Sequence, residues 1–219
     1  MEGLSVNHVQ EAFRLEFEKR CLSLLNRAYI ESTFEGKIFM DWEEETISAV
    51  LIDLMGKSEE AQNWNIDIVP EYRIYTNEHL TGLESPKKAS RIDFRFCTFK
   101  SSHRLEYFME AKNLAEKNWR KPGNTKDTIA LKLQKRYIET GLKKFMSAEY
   151  PMGCLVGYVM QGEPDHIIAN INKLIVAQGL DCFIERIDNL YFEFFYYESK
   201  FGQENRKGVI KQILLCYSF

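Results

Sequence analysis

Three ionisable residues on two neighbouring predicted strands have the types and the spacing to carry out a reaction. Asp93 lies in the alternating segment 91–96, and Glu110 and Lys112 lie in the next such segment, 105–112. Two carboxylates can share one divalent cation, because Mg²⁺ and Mn²⁺ prefer oxygen ligands. A lysine two residues beyond the second carboxylate could stabilise the negative charge that develops during the reaction. These groups are what the metal-assisted hydrolysis of a phosphodiester requires.

The geometry of strands predicts that the three side chains meet. Successive side chains alternate across a strand, so Glu110 and Lys112 point to one face and the residue between them points to the other. The polar segment 101–104 is short enough for a hairpin loop. If the apolar side chains of both strands share a face, even-numbered residues pair with odd-numbered ones, which puts Asp93 on the face of Glu110 and Lys112. A hairpin loop of residues 101–104, closed by Lys100 and Leu105, would set Asp93 directly opposite Lys112.

The composition is that of a soluble globular protein. The chain has 219 residues, of which 45% are hydrophobic and 28% are charged, and it contains no apolar run as long as a membrane span and no signal-peptide pattern. We therefore expect a cytoplasmic protein with no membrane partner. The five cysteines form no Cys-x-x-Cys pattern and are expected to be reduced and mostly buried, and the four dispersed histidines do not indicate a zinc site. The net charge of −3 is not the overall signature of a nucleic-acid binder, although a local basic patch would suffice.

Hydrophobic periodicity and turn signals predict a mixed sheet flanked by helices in one domain, residues 1–219. The predicted order is helix, three strands, helix and strand over a core of about 41–160, followed by an α/β extension of about 161–219 with further strands. Asp41 is predicted to cap the second helix, with Glu44 three residues later. Pro70 places its strand at a sheet edge or at a bulge. The predicted helices span 11–30, 41–55, 126–147 and 164–177, and the predicted strands span 66–69, 72–75, 91–112 as a hairpin, 154–160, 190–197 and 209–219.

Asp93, the tripeptide Glu110-Ala111-Lys112 and this element order together resemble the PD-(D/E)XK nuclease superfamily, which has the restriction-endonuclease-like fold. The resemblance covers about residues 41–160. The motif is short and degenerate, so its placement on the second and third core strands carries most of its specificity. One departure is that Ile92 stands where the family motif has proline.

The resemblance implies a Mg²⁺- or Mn²⁺-dependent endonuclease that acts on DNA. It implies that Asp93, Glu110 and the backbone carbonyl of Ala111 bind the metal, and that Lys112 orients the attacking water or stabilises the developing charge. The family context also implies a role in bacterial restriction or antiviral defence, with a homodimer or a larger defence complex as the assembly.

The family commonly carries a glutamate on the first core helix that holds a metal or its water, and three glutamates compete for this place. At about 100° per residue, Glu43 and Glu44 fall on the apolar side of the helix, while Glu45 falls nearly opposite. We predict Glu44, because it precedes Ile47 and Leu51 by three and seven residues, with Glu43 in reserve. The alternative is that these carboxylates only complement the positive end of the helix dipole.

Some branches of the family carry a glutamine and a tyrosine on the helix after the lysine, and Gln134 and Tyr137 resemble that pair. Gln134 lies between Leu131 and Ile138 at helical spacing, so it is predicted to face the sheet. A buried amide needs partners, which a metal site or a nucleic-acid backbone could supply. The alternative is a boundary glutamine and a core tyrosine.

Basic residues follow the Glu-x-Lys strand closely and are predicted to contact DNA. The alternative is a solvated loop and the polar face of a helix. The residues predicted to bind nucleic acid are Lys117, Arg120, Lys121, Lys135, Arg136 and Tyr137.

Two other functions stay open on the sequence alone. One is a nucleic-acid-binding module that keeps the fold but is catalytically silent, although an intact Asp93, Glu110 and Lys112 argue for activity. The other is a non-enzymatic interaction protein whose charged hairpin face is merely solvated. In that case the aromatic-rich segment 191–197 could contact a partner, and the alternative for this segment is a buried strand.

Overall fold

The chain alternates between helices and strands in a computed structural model that describes residues 6–100, 103–120, 124–151, 153–189, 191–203 and 206–217. The helices are α1 (Val6–Phe34), α2 (Glu44–Lys57), α3 (Glu59–Trp64), α4 (Asn77–Leu80), α5 (Ala130–Arg136), α6 (Lys143–Met146) and α7 (Pro164–Ala177), with a 3-10 turn at Pro86–Lys88 and a π-helical segment at Tyr137–Leu142. The strands are β1 (Asp67–Ile74), β2 (Ser90–Lys100), β3 (His103–Ala115), β4 (Trp119–Arg120), β5 (Asp127–Thr128), β6 (Gly153–Gln161), β7 (Cys182–Arg186), β8 (Phe195–Gln203) and β9 (Arg206–Cys216).

Seven of these strands form one mixed sheet in the order β1-β2-β3-β6-β9-β8-β7. Strands β1, β2 and β3 are antiparallel neighbours, β6 runs parallel to β3, and β9 runs parallel to β6. A parallel pair needs a crossover connection, and the helical segment 130–146 provides it between β3 and β6. The predicted mixed sheet and the predicted order of helix, three strands, helix and strand are therefore confirmed.

Helices cover both faces of the sheet and create two hydrophobic cores. The first core joins α1 and α2 to the sheet, with buried side chains such as Leu25, Leu51 and Phe94. The second core joins α7 and the crossover segment to the opposite face, with Ile138 and Ile171 among its buried side chains. Burying one such side chain contributes roughly 1.5–3 kcal/mol, so these two layers fix the position of the central strands. No helix among the described residues is both long enough and apolar enough to cross a membrane.

The two edges of the sheet are protected in different ways. At one edge, β1 carries Pro70, and Glu71 has a positive φ of 46°, so the edge location predicted from the proline is confirmed. At the other edge, the buried side chain of Asn172 pairs with the backbone of Ile184 in β7. Its amide donates to the Ile184 carbonyl and its oxygen accepts from the Ile184 N–H, both at 2.9 Å. This pairing occupies backbone groups that another strand could otherwise bind.

Several predicted boundaries were wrong for local reasons. The crossover helix begins at Ala130 and not at residue 126, because Asp127–Thr128 pairs with Trp119–Arg120 as a short ladder. Helix α2 begins at Glu44 with Glu43 as its N-cap, so the predicted capping role of Asp41 was wrong.

The C-terminal part of the chain adds three strands to the same sheet. Only two strands were predicted there, because the short strand β7 was missed. Strand β8 was expected to begin near residue 190, but it begins at Phe195. In the aromatic-rich segment, Phe194 and Tyr197 are buried while Tyr191 is exposed. Most of this segment therefore packs within the fold and is not a free surface.

Candidate active site

The hairpin of β2 and β3 brings the predicted site residues onto one face, with a register that differs from the predicted one. Phe94 pairs with Met109, an even-numbered residue with an odd-numbered one, as the shared apolar face required. The ladder ends in the pair Lys100 and His103, which closes the hairpin two residues sooner than expected. Asp93 lies one residue beyond the last pair of the ladder, Phe94 and Met109, and the observed register is offset by two residues from the one predicted to set Asp93 opposite Lys112, so that predicted pairing was wrong.

The two strands are also joined by a side-chain contact at the site. Asp93 Oδ2 accepts a hydrogen bond of 2.7 Å from the backbone N–H of Ala111. This bond fixes the Asp93 carboxylate beside the Glu110-Ala111-Lys112 tripeptide and leaves its second oxygen available for another partner.

The charged face of the hairpin is buried and is not a solvated strand face. Glu110 and Lys112 are each only 5% exposed. Phe108 and Leu114 lie on the same face of β3 and belong to the second core, which explains the burial. Buried charges are found where they are paired or bind a ligand, so this burial makes the tripeptide a candidate site.

The ammonium of Lys112 is the centre of the contacts. Its Nζ donates to Glu110 Oε1 at 2.5 Å and to the carbonyl oxygen of Ala111 at 2.7 Å. The same nitrogen lies 3.7 Å from Glu44 Oε1. Two oxygens from β3 therefore converge on one cationic atom, and a third from α2 lies close by.

Glu44 reaches the site from the first turn of α2, as the helical spacing predicted. It is 8% exposed, whereas Glu43 and Glu45 are exposed. Its Oε1 accepts from the guanidinium of Arg136 at 2.8 Å, and its Oε2 accepts from the backbone N–H of Asn113 at 3.3 Å. The choice of Glu44 over its neighbours is consistent with this placement.

Burial shifts the proton affinities of these groups. It raises the pKa of Asp93, against the effect of the nearby Lys112 charge. Burial and the negative charge of Asp93 raise the pKa of Glu110 to about 7. Burial alone would lower the pKa of Lys112, but the surrounding carboxylates, led by Glu110, outweigh it and raise that pKa. The lysine is thus held as a cation beside carboxylates that would be stabilised by more positive charge.

The donor set suits a hard divalent cation. Carboxylate and backbone carbonyl oxygens are the ligands that Mg²⁺ and Mn²⁺ take, and Glu110 Oε1 and the Ala111 carbonyl already converge on the Lys112 ammonium. Glu110 Oε2 is buried, and no donor among the described residues forms a hydrogen bond with it. Within the same residues there is no cluster of three or more His, Cys, Asp or Glu side chains arranged to hold a metal. A site here would therefore rest on Asp93, Glu110 and the Ala111 carbonyl.

Gln134 and Tyr137, the predicted pair on the crossover helix, make different contacts in the structure. Gln134 is buried and faces the sheet, as predicted, where its amide donates to the carbonyl of Ala115 at 2.8 Å. Tyr137 is completely buried, and its hydroxyl donates to Gln212 at 2.9 Å. The prediction that Tyr137 contacts nucleic acid is therefore not supported by its position, whereas the alternative of a core tyrosine fits.

The predicted basic residues lie on the surface. Lys117, Arg120 and Lys135 are exposed, and Arg120 forms an ion pair with Asp127 at 2.8 Å. Lys121 lies outside the described residues. Arg136 differs from the others, because its pairing with Glu44 connects it directly to the buried carboxylates.

One residue near the site, Tyr150, was not predicted. Tyr150 is buried beside Glu110, and burial together with the charge of that carboxylate raises the pKa of its phenol. Its hydroxyl donates to the carbonyl of Arg91 at 2.7 Å and accepts from Lys144 at 3.3 Å. Tyr150 is 40 residues away from Glu110 along the chain, and no local pattern signals a contact over that separation.

None of the protein-family models, curated proteins or solved structures compared with this chain matches it. The functional argument therefore rests on the arrangement of the site residues and on the fold that positions them.

Proposed function

We propose that this protein is a Mg²⁺- or Mn²⁺-dependent nuclease with a restriction-endonuclease-like core, which cleaves phosphodiester bonds within DNA. The observation that carries the proposal is the convergence of the half-buried Asp93 on the Glu110-Ala111-Lys112 tripeptide, whose two charged side chains are buried. A solvated face with the same sequence pattern would leave these side chains exposed and unpaired. Burial of Glu110 and Lys112 is costly for stability, so a functional reason for retaining them beside Asp93 is favoured.

The element order adds independent support. Helix α2, strands β1, β2 and β3, the crossover helix and strand β6 follow one another as the resemblance implies. The acidic residues lie on the second and third of these strands, and Glu44 lies at the start of the helix that precedes them. The motif and its placement thus agree, although either alone would be weak.

Each site residue has a role that its surroundings permit. Asp93 and Glu110 would hold the cation together with the carbonyl of Ala111. Lys112 would provide a charged donor to the scissile phosphate or the attacking water, because its carboxylate neighbours keep it protonated. When bound, the cation would polarise the phosphate and lower the pKa of a water ligand.

Arg136 is the best-placed group for the nucleic-acid backbone. Its side chain is 47% exposed while its guanidinium is held by Glu44, so it joins the solvent-facing surface to the site. Guanidinium groups bind phosphate oxygens through two parallel hydrogen bonds. The exposed Lys117 and Lys135 would add sequence-independent attraction to DNA.

The proposal is tested by incubating supercoiled plasmid, linear duplex and single-stranded DNA with the protein in Mg²⁺, Mn²⁺ or EDTA. Wild type is expected to cut only with metal, and Lys112→Ala is expected to lose cleavage while it folds and still binds much of the DNA. Lys173→Ala is the matched control, because Lys173 is an exposed lysine of α7 with no role in the proposal, and this variant should keep cleavage. Equal cutting by wild type and Lys112→Ala would refute the assignment.

If no substrate is cut, the proposed nuclease activity has failed for this chain acting alone. DNA binding without cleavage would then favour the catalytically silent binding module. An absence of both would favour a protein-interaction role.

A further inference from the structure

We propose that Lys112 and a divalent cation compete for one position, and that the lysine ammonium moves to Glu44 when the cation binds. The proposal rests on the metal-dependent function proposed above and concerns how access to that site is controlled. It assigns Glu44 the role of an alternative hydrogen-bond acceptor for the lysine ammonium and not that of a metal ligand.

The first observation is that Lys112 occupies the place where two of the proposed metal ligands meet. Its Nζ is 2.5 Å from Glu110 Oε1 and 2.7 Å from the carbonyl oxygen of Ala111. Two cations cannot share the same pair of oxygens at these distances, because their mutual repulsion in a poorly solvated site is large. A metal that uses both oxygens must therefore displace the ammonium.

The second observation is that an alternative acceptor lies within reach. Glu44 Oε1 is 3.7 Å from Lys112 Nζ, so a shift of about 1 Å would turn this ion pair into a charge-assisted hydrogen bond. Lysine carries its charge on a flexible stem and can make such a shift by changing rotamers. The displaced ammonium would then stay paired inside the fold, which avoids leaving a buried charge without a partner.

The third observation is that the alternative acceptor, Glu44, already pairs with a cation that can be replaced, Arg136. Arg136 donates to the same Glu44 oxygen at 2.8 Å, but its side chain is 47% exposed and can return to solvent at little cost. Asn113 fixes the other Glu44 oxygen through its backbone N–H at 3.3 Å, so the carboxylate stays in place while its cationic partner changes. Arrival of the lysine would release the Arg136 guanidinium toward a phosphate.

The test is a double-mutant cycle on Mn²⁺ affinity, measured at pH 8 from the electron paramagnetic resonance signal of free Mn²⁺. Lys112→Met should bind Mn²⁺ at least tenfold more tightly than wild type, because the competing ammonium is gone. Glu44→Gln should bind Mn²⁺ several-fold more weakly than wild type, because the displaced lysine has lost its charged alternative acceptor. In the Lys112→Met background, Glu44→Gln should change the affinity by less than twofold. Lys173→Met, which replaces an exposed lysine of α7, is the matched control and should leave the affinity unchanged.

The outcomes separate this inference from the proposed function. An equal or weaker affinity in Lys112→Met would refute the competition while leaving a metal site in place. If Glu44→Gln lowered the Mn²⁺ affinity equally in the wild-type and Lys112→Met backgrounds, Glu44 would itself be a metal ligand, and its role as the alternative acceptor would be refuted. If neither wild type nor Lys112→Met binds Mn²⁺, both the inference and the proposed metal-dependent function fail.

A measurement on the wild-type protein covers the case in which Lys112→Met does not fold. The side-chain ammonium signal of Lys112, observed by ¹⁵N NMR, should shift as Mg²⁺ is added and should stop shifting at saturation. A signal unchanged at a Mg²⁺ concentration that saturates binding would overturn the proposal.

Discussion

Replacing Glu110 with glutamine should stabilise the protein at alkaline pH, although it removes a residue from a buried ion pair. Burial and the charge of Asp93 raise the pKa of Glu110 from the ordinary 4.5 to about 7. Between these two values the folded state binds more protons at Glu110 than the unfolded state does, so stability falls as pH rises. The loss is complete once pH exceeds the folded pKa, and it corresponds to about 3 kcal/mol, since a tenfold change in proton affinity is about 1.4 kcal/mol.

Glutamine resembles the protonated glutamate, so Glu110→Gln does not undergo this loss. The variant and wild type should have similar free energies of unfolding at pH 5, and the variant should be more stable by about 3 kcal/mol at pH 8. For a chain of this size that gain corresponds to a rise in Tm of about 6–12 °C. The measurement is urea unfolding from pH 5 to pH 8 in EDTA, which keeps metal ions from lowering the proton affinity of the carboxylate.

Glu185→Gln is the control for this experiment, because Glu185 is exposed on the edge strand β7. It should change stability by no more than about 0.5 kcal/mol, with no growing gap between pH 5 and pH 8. If Glu110→Gln were less stable than wild type at pH 8, the Glu110–Lys112 pair would be a net stabilising contact. The reasoning that the fold tolerates these carboxylates at a cost would then be wrong.

Three other predictions address the rest of the fold and the site. Asn172→Ala should expose the backbone of Ile184 at the sheet edge and cause concentration-dependent self-association beyond that of wild type, seen by sedimentation velocity; a variant that sediments as wild type does would refute the edge-protecting role. Gly153→Ala should destabilise the protein by roughly 2–4 kcal/mol in urea unfolding, because its Cβ would lie 1.9 Å from the carbonyl oxygen of Phe108, and an unchanged midpoint would contradict that contact. Arg136→Ala should weaken DNA binding by about fivefold or more in fluorescence anisotropy with Ca²⁺, a hard cation that takes the same oxygen ligands, and Lys135→Ala should weaken it less; the reverse ranking would place the DNA elsewhere.

Much of the site could be predicted because it depends on periodicity. The period of two along a strand put Asp93 on the face of Glu110, since any other parity would expose the apolar side chains. The period of 3.6 along a helix selected Glu44 over Glu45. Both arguments depend only on which side of a strand or helix is buried, and the pattern of apolar residues predicts that side.

The details that could not be predicted depend on contacts between distant parts of the chain. The offset of two residues in the hairpin came from the closing pair Lys100 and His103, and turn length is not fixed by the apolar pattern. The pairing of Glu44 with Arg136 joins residues 92 positions apart, which no local rule anticipates. Tyr137 was predicted to bind nucleic acid together with its neighbour Arg136, with a core tyrosine as the alternative, but only Arg136 faces solvent, because successive helical positions differ by about 100°.

The same limit applies to the short elements. Strand β7 has five residues, and its neighbours on both sides carry mixed polarity, so its pattern was too weak to identify. The ladder that pairs Trp119–Arg120 with Asp127–Thr128 delays the crossover helix and is equally hidden, because a two-residue strand has no measurable period.

The central claim is that Asp93 and Glu110 hold a catalytic divalent cation, and Asp93→Asn tests it most directly. The asparagine side-chain oxygen can still accept the hydrogen bond from the N–H of Ala111, so the variant removes the charge of a ligand while it keeps the contact that joins β2 and β3. Plasmid cleavage rates for wild type and Asp93→Asn at saturating Mg²⁺ should differ by about 100-fold or more, with both proteins folded. Equal rates, or cleavage that persists in EDTA, would contradict the account.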